Sequence, residues 1–349
     1  MRLLLITALA ASVLAPGVAV AQADVDVALR DYQPVDLPGV KLSVVKAPPE
    51  GVEVALRYSK TSQERRLLAL QAKPEGDAEG AKTLNLKYRV QLLSGSAPKL
   101  ALIVYDADGG SWYKVSSEPV VVDKMTDGRL SVTSLRQAAF SSDASGELEW
   151  ANVEKVWVGV VIDGPSNGVL ELGAARLTNE PFKRDKPLAI TGDGPGKWSV
   201  GKDPAVTAQL TTPDEGPDGQ PCMKFEFSLP GGRHMYAIPS TALPTSDLDG
   251  YSALQLTYRA ELPAGIKGLL VMVGEAGGAQ YMVEPMPAAS DEWVTLTIPF
   301  SQFQLGGWTK DANNQLDLDQ CRTVFVGTHG AADAADEGVI MAVDVKFLP

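Results

Sequence analysis

The hexapeptide Leu84-Asn85-Leu86-Lys87-Tyr88-Arg89 returns as Leu254-Gln255-Leu256-Thr257-Tyr258-Arg259, 170 positions further along the chain. A second, ungapped match lays residues 147–159 over 315–327 at a shift of 168, and both copies end it on Val-aromatic-Val-Gly. A third lays 168–177 over 338–347 and restores the shift of 170. Near-equal offsets spread over most of a copy mean that whole domains repeat, because a solenoid shows self-similarity at a period of about 20–50 residues. The chain therefore reads as a divergent tandem duplication. A first domain covers 24–180, a charged, Pro-flanked linker covers 181–189, and a second domain covers 190–349.

Within each copy the patterning is that of strands. Residues 52–58, 254–258 and 293–298 largely alternate apolar with polar side chains, the period of a half-buried strand. Residues 100–105 and 269–273 are apolar throughout and read as central strands covered on both faces. Clusters such as Asp108-Gly109-Gly110 and Pro230-Gly231-Gly232 supply turn chemistry between them, and sustained helical periodicity is scarce. The expectation is all-β: two β-sandwiches of roughly 150 residues each, a normal domain size.

Residues 1–21 open with Arg2, continue in an apolar run broken at Pro16 and Gly17, and close on Ala19-Val20-Ala21. That is the pattern of a cleaved secretory signal peptide, and it implies a secreted or periplasmic protein. No later stretch approaches the roughly 18–20 uninterrupted apolar residues that a spanning helix needs. The formal net charge of −12 opposes binding to nucleic acid phosphates, which calls for clustered Lys and Arg. The two cysteines, Cys222 and Cys321, both fall in the second copy. In an oxidising compartment they would form one disulfide; the alternative is two buried thiols. Val153 occupies the position of Cys321 in the first copy, so the fold does not require a bridge.

Motifs for catalysis are absent from the sequence. The two histidines, His234 and His329, have no partners at metal-ligand spacing and read as surface or partly buried residues, with contact to a ligand as the alternative. No Gly-x-Ser-x-Gly elbow or phosphate loop occurs. Glycoside cleavage needs only two carboxylates across a cleft, and carboxylates are plentiful. Two small sandwiches, however, use up the chain and leave no separate catalytic domain. Residues 311–319 alternate oxygen donors, but they lack the Gly of a calcium loop and place Arg322 where its Glu belongs, so they read as an Asn-rich turn.

In the second copy, residues 247–253 lead through a Gly turn into the strand ending at Tyr258-Arg259. There follow Trp293 with Ile298-Pro299-Phe300-Ser301-Gln302-Phe303, then Leu316-Asp317 before Val324-Phe325-Val326, and finally Ala342-Val343-Asp344-Val345. This succession resembles the galactose-binding-like jelly rolls, in particular the carbohydrate-binding modules and the related domain named after an assembly factor of respiratory complex I. The resemblance covers most of 190–349, and the first copy inherits it through the repeat. It implies two-sheet sandwiches of about eight strands. Such domains mostly bind glycans without altering them, and many carry a structural calcium near the chain ends. Asp344 matches the acidic position of the last strand in that family. A buried acid there would need Ca2+ or a basic partner, whereas an outward-facing one would need neither. Ala174 at the matching position confines any such ion to the second copy.

Sugars present apolar C–H faces and hydroxyl rims, so sites for them pair aromatic platforms with a few fixed polar groups. Trp112 aligns with Tyr281 and Asp106 with Glu275, both at a shift of 169, and Arg89 aligns with Arg259. Alternation points Tyr88 and Tyr258 into the core and leaves Arg89 and Arg259 on the opposite face. Tyr236 and Trp308, the latter approached through Gly306-Gly307, extend the surface in the second copy. The expected ligand set is thus Arg259, Glu275, Tyr281, Tyr236 and Trp308, with Arg89, Asp106 and Trp112 in the first copy; aligned aromatics that only share a core are the competing reading. The expected function is non-catalytic recognition of a polysaccharide or glycoconjugate. A structural or adaptor protein is the alternative, a glycan-active enzyme the third option, and the oligomeric state is open.

Overall fold

The computed structural model describes residues 25–27, 33–35, 38–76, 78–143, 146, 148–190, 198–283 and 290–349. The leader reading over 1–21 lies outside the described residues, as does Glu147. The chain is all-β, two jelly-roll sandwiches, and every ladder between strands is antiparallel.

The N-terminal half contains β1 (Val25–Val27), β2 (Gln33–Pro34), β3 (Val40–Val44), β4 (Val54–Lys60), β5 (Arg66–Ala72) and β6 (Thr83–Gly95). It continues with β7 (Lys99–Asp106), β8 (Ser111–Pro119), β9 (Thr126–Ser131), β10 (Arg136–Gln137), β11 (Val153–Ile162) and β12 (Ser166–Thr178). The C-terminal half contains β13 (Leu188–Ala189), β14 (Trp198–Ser199), β15 (Thr207–Thr211), β16 (Met223–Leu229), β17 (His234–Ala237), β18 (Ser240–Ala242) and β19 (Ala253–Glu261). After these come β20 (Leu270–Glu275), β21 (Gln280–Val283), β22 (Ser290–Pro299), β23 (Gln304–Leu305), β24 (Cys321–Ala331) and β25 (Asp336–Leu348).

One sheet of the N-terminal half runs β3-β4-β12-β6-β9, with β1 on β12, and the other runs β10-β8-β7-β11-β5-β2. In the C-terminal half the sheets are β15-β16-β25-β19-β22, with β13 on β25, and β14-β18-β24-β20-β21-β23, with β17 on β24. Among the described residues, no sheet mixes strands of the two halves. Leu188 and Ala189, expected in the linker, pair with Phe347 and Lys346 and so belong to the second sandwich.

Side-chain alternation fills each space between sheets. Leu84, Leu86 and Tyr88 are buried in one core and Leu254, Leu256 and Tyr258 in the other, as the period of two requires. Burying each such side chain contributes about 1.5–3 kcal/mol. The two halves also share an irregularity. Opposite Lys87 and again opposite Leu256 the partner strand carries an extra residue, a bulge that falls at Ala174 in β12 and at Asp344 in β25. The all-apolar run of β20 is covered on both faces as expected, but in β7 Ile103 and Tyr105 are only half-buried.

The halves meet in a polar seam. Lys114 on β8 is 6% exposed and donates to Asp249 at 2.6 Å and to Asp247 at 3.3 Å. Ser134 also donates to Asp249, and Arg136 Nε donates to Asp319 at 2.6 Å. Arg184 of the connecting segment joins Asp247 to Ser117, each at 3.3 Å.

Candidate functional site

The repeated Val-aromatic-Val-Gly strand explains how the C-terminal half makes a surface. On β24, Val324 and Val326 point into the core and Phe325 points away from it. On β20, Val271 and Val273 point in while Leu270 and Met272 point out, and on β17 Met235 and Ala237 are buried while His234 and Tyr236 are exposed. The closing glycine of the motif lets a neighbouring strand pass close. A Cβ on Gly327 would stand 2.4 Å from Ile238 Cα, and one on Gly159 would stand 2.0 Å from the Leu68 carbonyl oxygen.

The outward residues line a cleft of about 490 Å³. Its floor is apolar: Ile238, Leu270, Met272 and Phe325. Two rings stand at its rim, Tyr236 at 42% exposure and Trp308 at 55%. Gln280 fixes Trp308 by accepting its indole N–H at 2.6 Å, and the ring lies so close to Gly306 that a Cβ there would come within 3.0 Å of it. His234 and His329 supply the other polar edge. No carboxylate is among the described lining residues. The surface suits a flat amphipathic ligand that stacks apolar faces on rings and offers hydroxyls to a few polar atoms.

Of the eight residues expected to bind ligand, Tyr236 and Trp308 share this cleft, and the other six do not. Trp112 and Tyr281 are 3% and 2% exposed, which corrects their reading as platforms. Tyr281 occupies an inward position of β21 within the core, and its hydroxyl donates to Asp311 at 2.6 Å; Trp112 packs on the backbone at Gly110. Their alignment reports a shared interior. Asp106 and Glu275 are buried turn organisers. Asp106 accepts from the backbone N–H of Asp108 and of Gly110, at 3.0 and 2.6 Å, and Glu275 accepts from that of Asp317 at 2.6 Å. Burial, reinforced by the charges of Asp317, Asp311 and Asp319, raises the Glu275 carboxyl to about 7. Arg89 pairs with Glu171, and Arg259 with Glu261 at 3.2 Å, both on the sheet away from the cleft face.

Two further expectations change. Cys222 and Cys321 are free thiols in separate apolar clusters, the first beside Met341 and Val343 and the second in the main core, so no disulfide joins them. Asp344 is exposed at the bulge with a left-handed φ of 50°, so the case for a calcium compensating a buried acid falls away. Among the described residues, no group of three or more His, Cys, Asp or Glu is placed to hold a metal ion. No helix among them is long and apolar enough to cross a membrane.

No protein-family profile matches the chain, and no curated protein matches it. Among solved structures it is similar to the family 11 carbohydrate-binding module of the cellulosomal cellulase Lic26A-Cel5E of Clostridium thermocellum, with 18% identity and a TM-score of 0.37 over 48% of this chain and 95% of that one. The Clostridium thermocellum family 11 module in complex with a β-1,3-1,4-mixed-linked tetrasaccharide aligns at 17% identity, TM-score 0.38, over 47% and 97%. The N-terminal tandem of two family 22 carbohydrate-binding modules from Paenibacillus barcinonensis Xyn10C aligns over 94% of this chain and 98% of that one, at 12% identity and a TM-score of 0.28. At these scores the likeness carries no weight for the site, whose chemistry rests on its own residues.

His234, His329, Gln280, Met272 and Phe325, all outside the expected ligand set, make half of the described lining. The usable signal was the aromatic of the repeated motif, which sits between two inward valines and must therefore face outward. In the N-terminal half the same position is Trp157, whose ring centroid lies 4.9 Å from that of Tyr105 and whose indole N–H donates to Gln71 at 3.2 Å. The neighbouring concavity there is larger, about 810 Å³, but no aromatic is among its described lining residues.

Proposed function

We propose that the protein is an exported, non-catalytic glycan-binding protein whose C-terminal sandwich holds a polysaccharide or glycoconjugate segment in the cleft between Tyr236 and Trp308. The observation that carries this reading is the pair of exposed rings flanking an apolar floor, with hydrogen-bonding edges at His234, His329 and Gln280. Exposed aromatics held by a fixed partner lose little freedom on binding, which favours their use as stacking surfaces. The absence of a carboxylate from the described lining supports a site that binds without cleaving, since glycoside hydrolysis uses two. Export rests on the leader pattern over 1–21. The matching strand orders of the halves support descent from one duplicated domain.

A polysaccharide pull-down and a glycan array on the mature protein test the reading. Binding that disappears in both Trp308→Ala and Tyr236→Ala supports it. Failure to bind any glycan, with retention of a protein partner, would favour an adaptor role, and release of reducing ends would favour an enzyme.

A further inference from the structure

The chain has two histidines in 349 residues, and the fold brings both to one place. His234 stands on β17 and His329 on β24, antiparallel neighbours whose register sets Tyr236 opposite His329. Both imidazoles line the cleft, with ring centroids 4.9 Å apart and planes inclined at 64°. His329 Nδ1 lies 3.1 Å from His234 Nε2. Metal–imidazole bonds are about 2.0–2.1 Å long, so two nitrogens sharing one ion at an angle between about 90° and 110° stand about 2.9–3.4 Å apart. The observed separation falls inside that range. The adjacent cation, Arg233, is held by Asp203 at 3.0 Å, which offsets its charge.

We propose that His234 and His329 form a two-imidazole clamp for a divalent transition-metal ion at the edge of the cleft. Without metal, one ring N–H donates to the lone pair of the other ring. To bind the ion, the donor ring moves its proton to its other nitrogen through solvent. Both neutral imidazoles then present a lone pair, and no net proton is lost. Two protein ligands leave coordination positions open, to be filled by water or by oxygen atoms of a molecule in the cleft. Imidazole donors follow the order in which Cu2+ binds more tightly than Ni2+ or Zn2+. The clamp stands on the geometry of the two rings and does not depend on the glycan reading.

The test is a calorimetric titration of the untagged protein with Cu2+, Ni2+ and Zn2+, joined to electron paramagnetic resonance of the Cu2+ form. The expected result is one ion per chain, tightest for Cu2+, with hyperfine coupling to two imidazole nitrogens. His234→Gln and His329→Gln should each weaken binding at least about tenfold, since losing even the hydrogen-bond partner of a ligand typically costs about 10–100-fold. The metal-free melting temperature of each variant should match the unsubstituted protein, so that the loss is not one of folding. Trp308→Ala should keep the ion while losing glycan, which separates this proposal from the preceding one. No saturable binding by the unsubstituted protein, or binding unchanged in both single variants, would overturn the clamp.

Discussion

Lys114 Nζ in the N-terminal sandwich lies 2.6 Å from Asp249 Oδ2 in the C-terminal sandwich, and both side chains are buried. The contact ties β8 to the segment leading into β19, so the two halves are joined by more than their connecting segment. Burial raises the pKa of the neighbouring Asp247, and Lys114 and Arg184 oppose that shift. Lys114→Met removes the lysine that bridges this pair of acids. It leaves Asp249 with Ser134 and Asp247 with Arg184. Breaking a buried pair from one side typically costs about 3–5 kcal/mol. The variant should unfold at lower temperature in calorimetry, with the heat absorption separating into two transitions; a profile superimposable on that of the unsubstituted protein would refute the coupling.

Trp308 and Trp112 should respond oppositely to truncation. Trp308→Ala should weaken glycan binding at least about tenfold and change stability by no more than about 0.5 kcal/mol, as exposed substitutions usually do. Trp112→Ala should cost about 3–5 kcal/mol of stability through the cavity it leaves. Denaturant titrations and binding isotherms on both variants check the pair.

Glu275 gives the fold a pH dependence of definite sign. Its carboxyl titrates at about 7 in the folded chain against 4.5 as the ordinary value, so between those values the folded state holds the proton more tightly. Its contribution to stability is therefore fully present below the ordinary value and is lost as the pH rises through about 7. Glu275→Gln keeps an oxygen acceptor for the Asp317 N–H and removes the titration. The variant should show less loss of stability than the unsubstituted protein between about pH 5 and about pH 8 in urea unfolding. Equal losses in the two proteins would count against this assignment.

Both cysteines should titrate as thiols. Cys321 lies in the core, where burial and nearby carboxylates, Glu275 foremost, push its pKa up, and Cys222 is pushed up by burial. Ellman's reagent should react slowly with the folded protein and find two thiols per chain once it is unfolded without reductant. Two thiols appearing only after reduction would show that a bridge forms.

The architecture was legible because strand periodicity and the offset between copies are properties of neighbours in sequence. Leu84, Leu86 and Tyr88 alternate, and they point inward as alternation demands. The cleft was less legible because its parts come from six separated stretches, and because exposure cannot be read from alignment. Trp112 and Tyr281 match each other since both are buried side chains on corresponding strands of the two halves. Tyr236 and Trp308 have no counterparts in the matched segments of the first copy. The two histidines looked inert because they lie 95 positions apart; only the antiparallel pairing of β17 with β24 makes them neighbours. Cys222 and Cys321 share a half but occupy different clusters, a distinction that strand order settles and spacing does not.

The seam between the sandwiches has a consequence for how the chain survives stress. Among the described residues, the side-chain hydrogen bonds that cross directly from one half to the other end on Asp247, Asp249 or Asp319. If the halves part, those carboxylates and their cationic partners meet water, which solvates them well, and no oily surface is bared at those contacts. Those contacts open onto groups that water accepts, and the opposite charges draw the halves back together over a longer range than packing could.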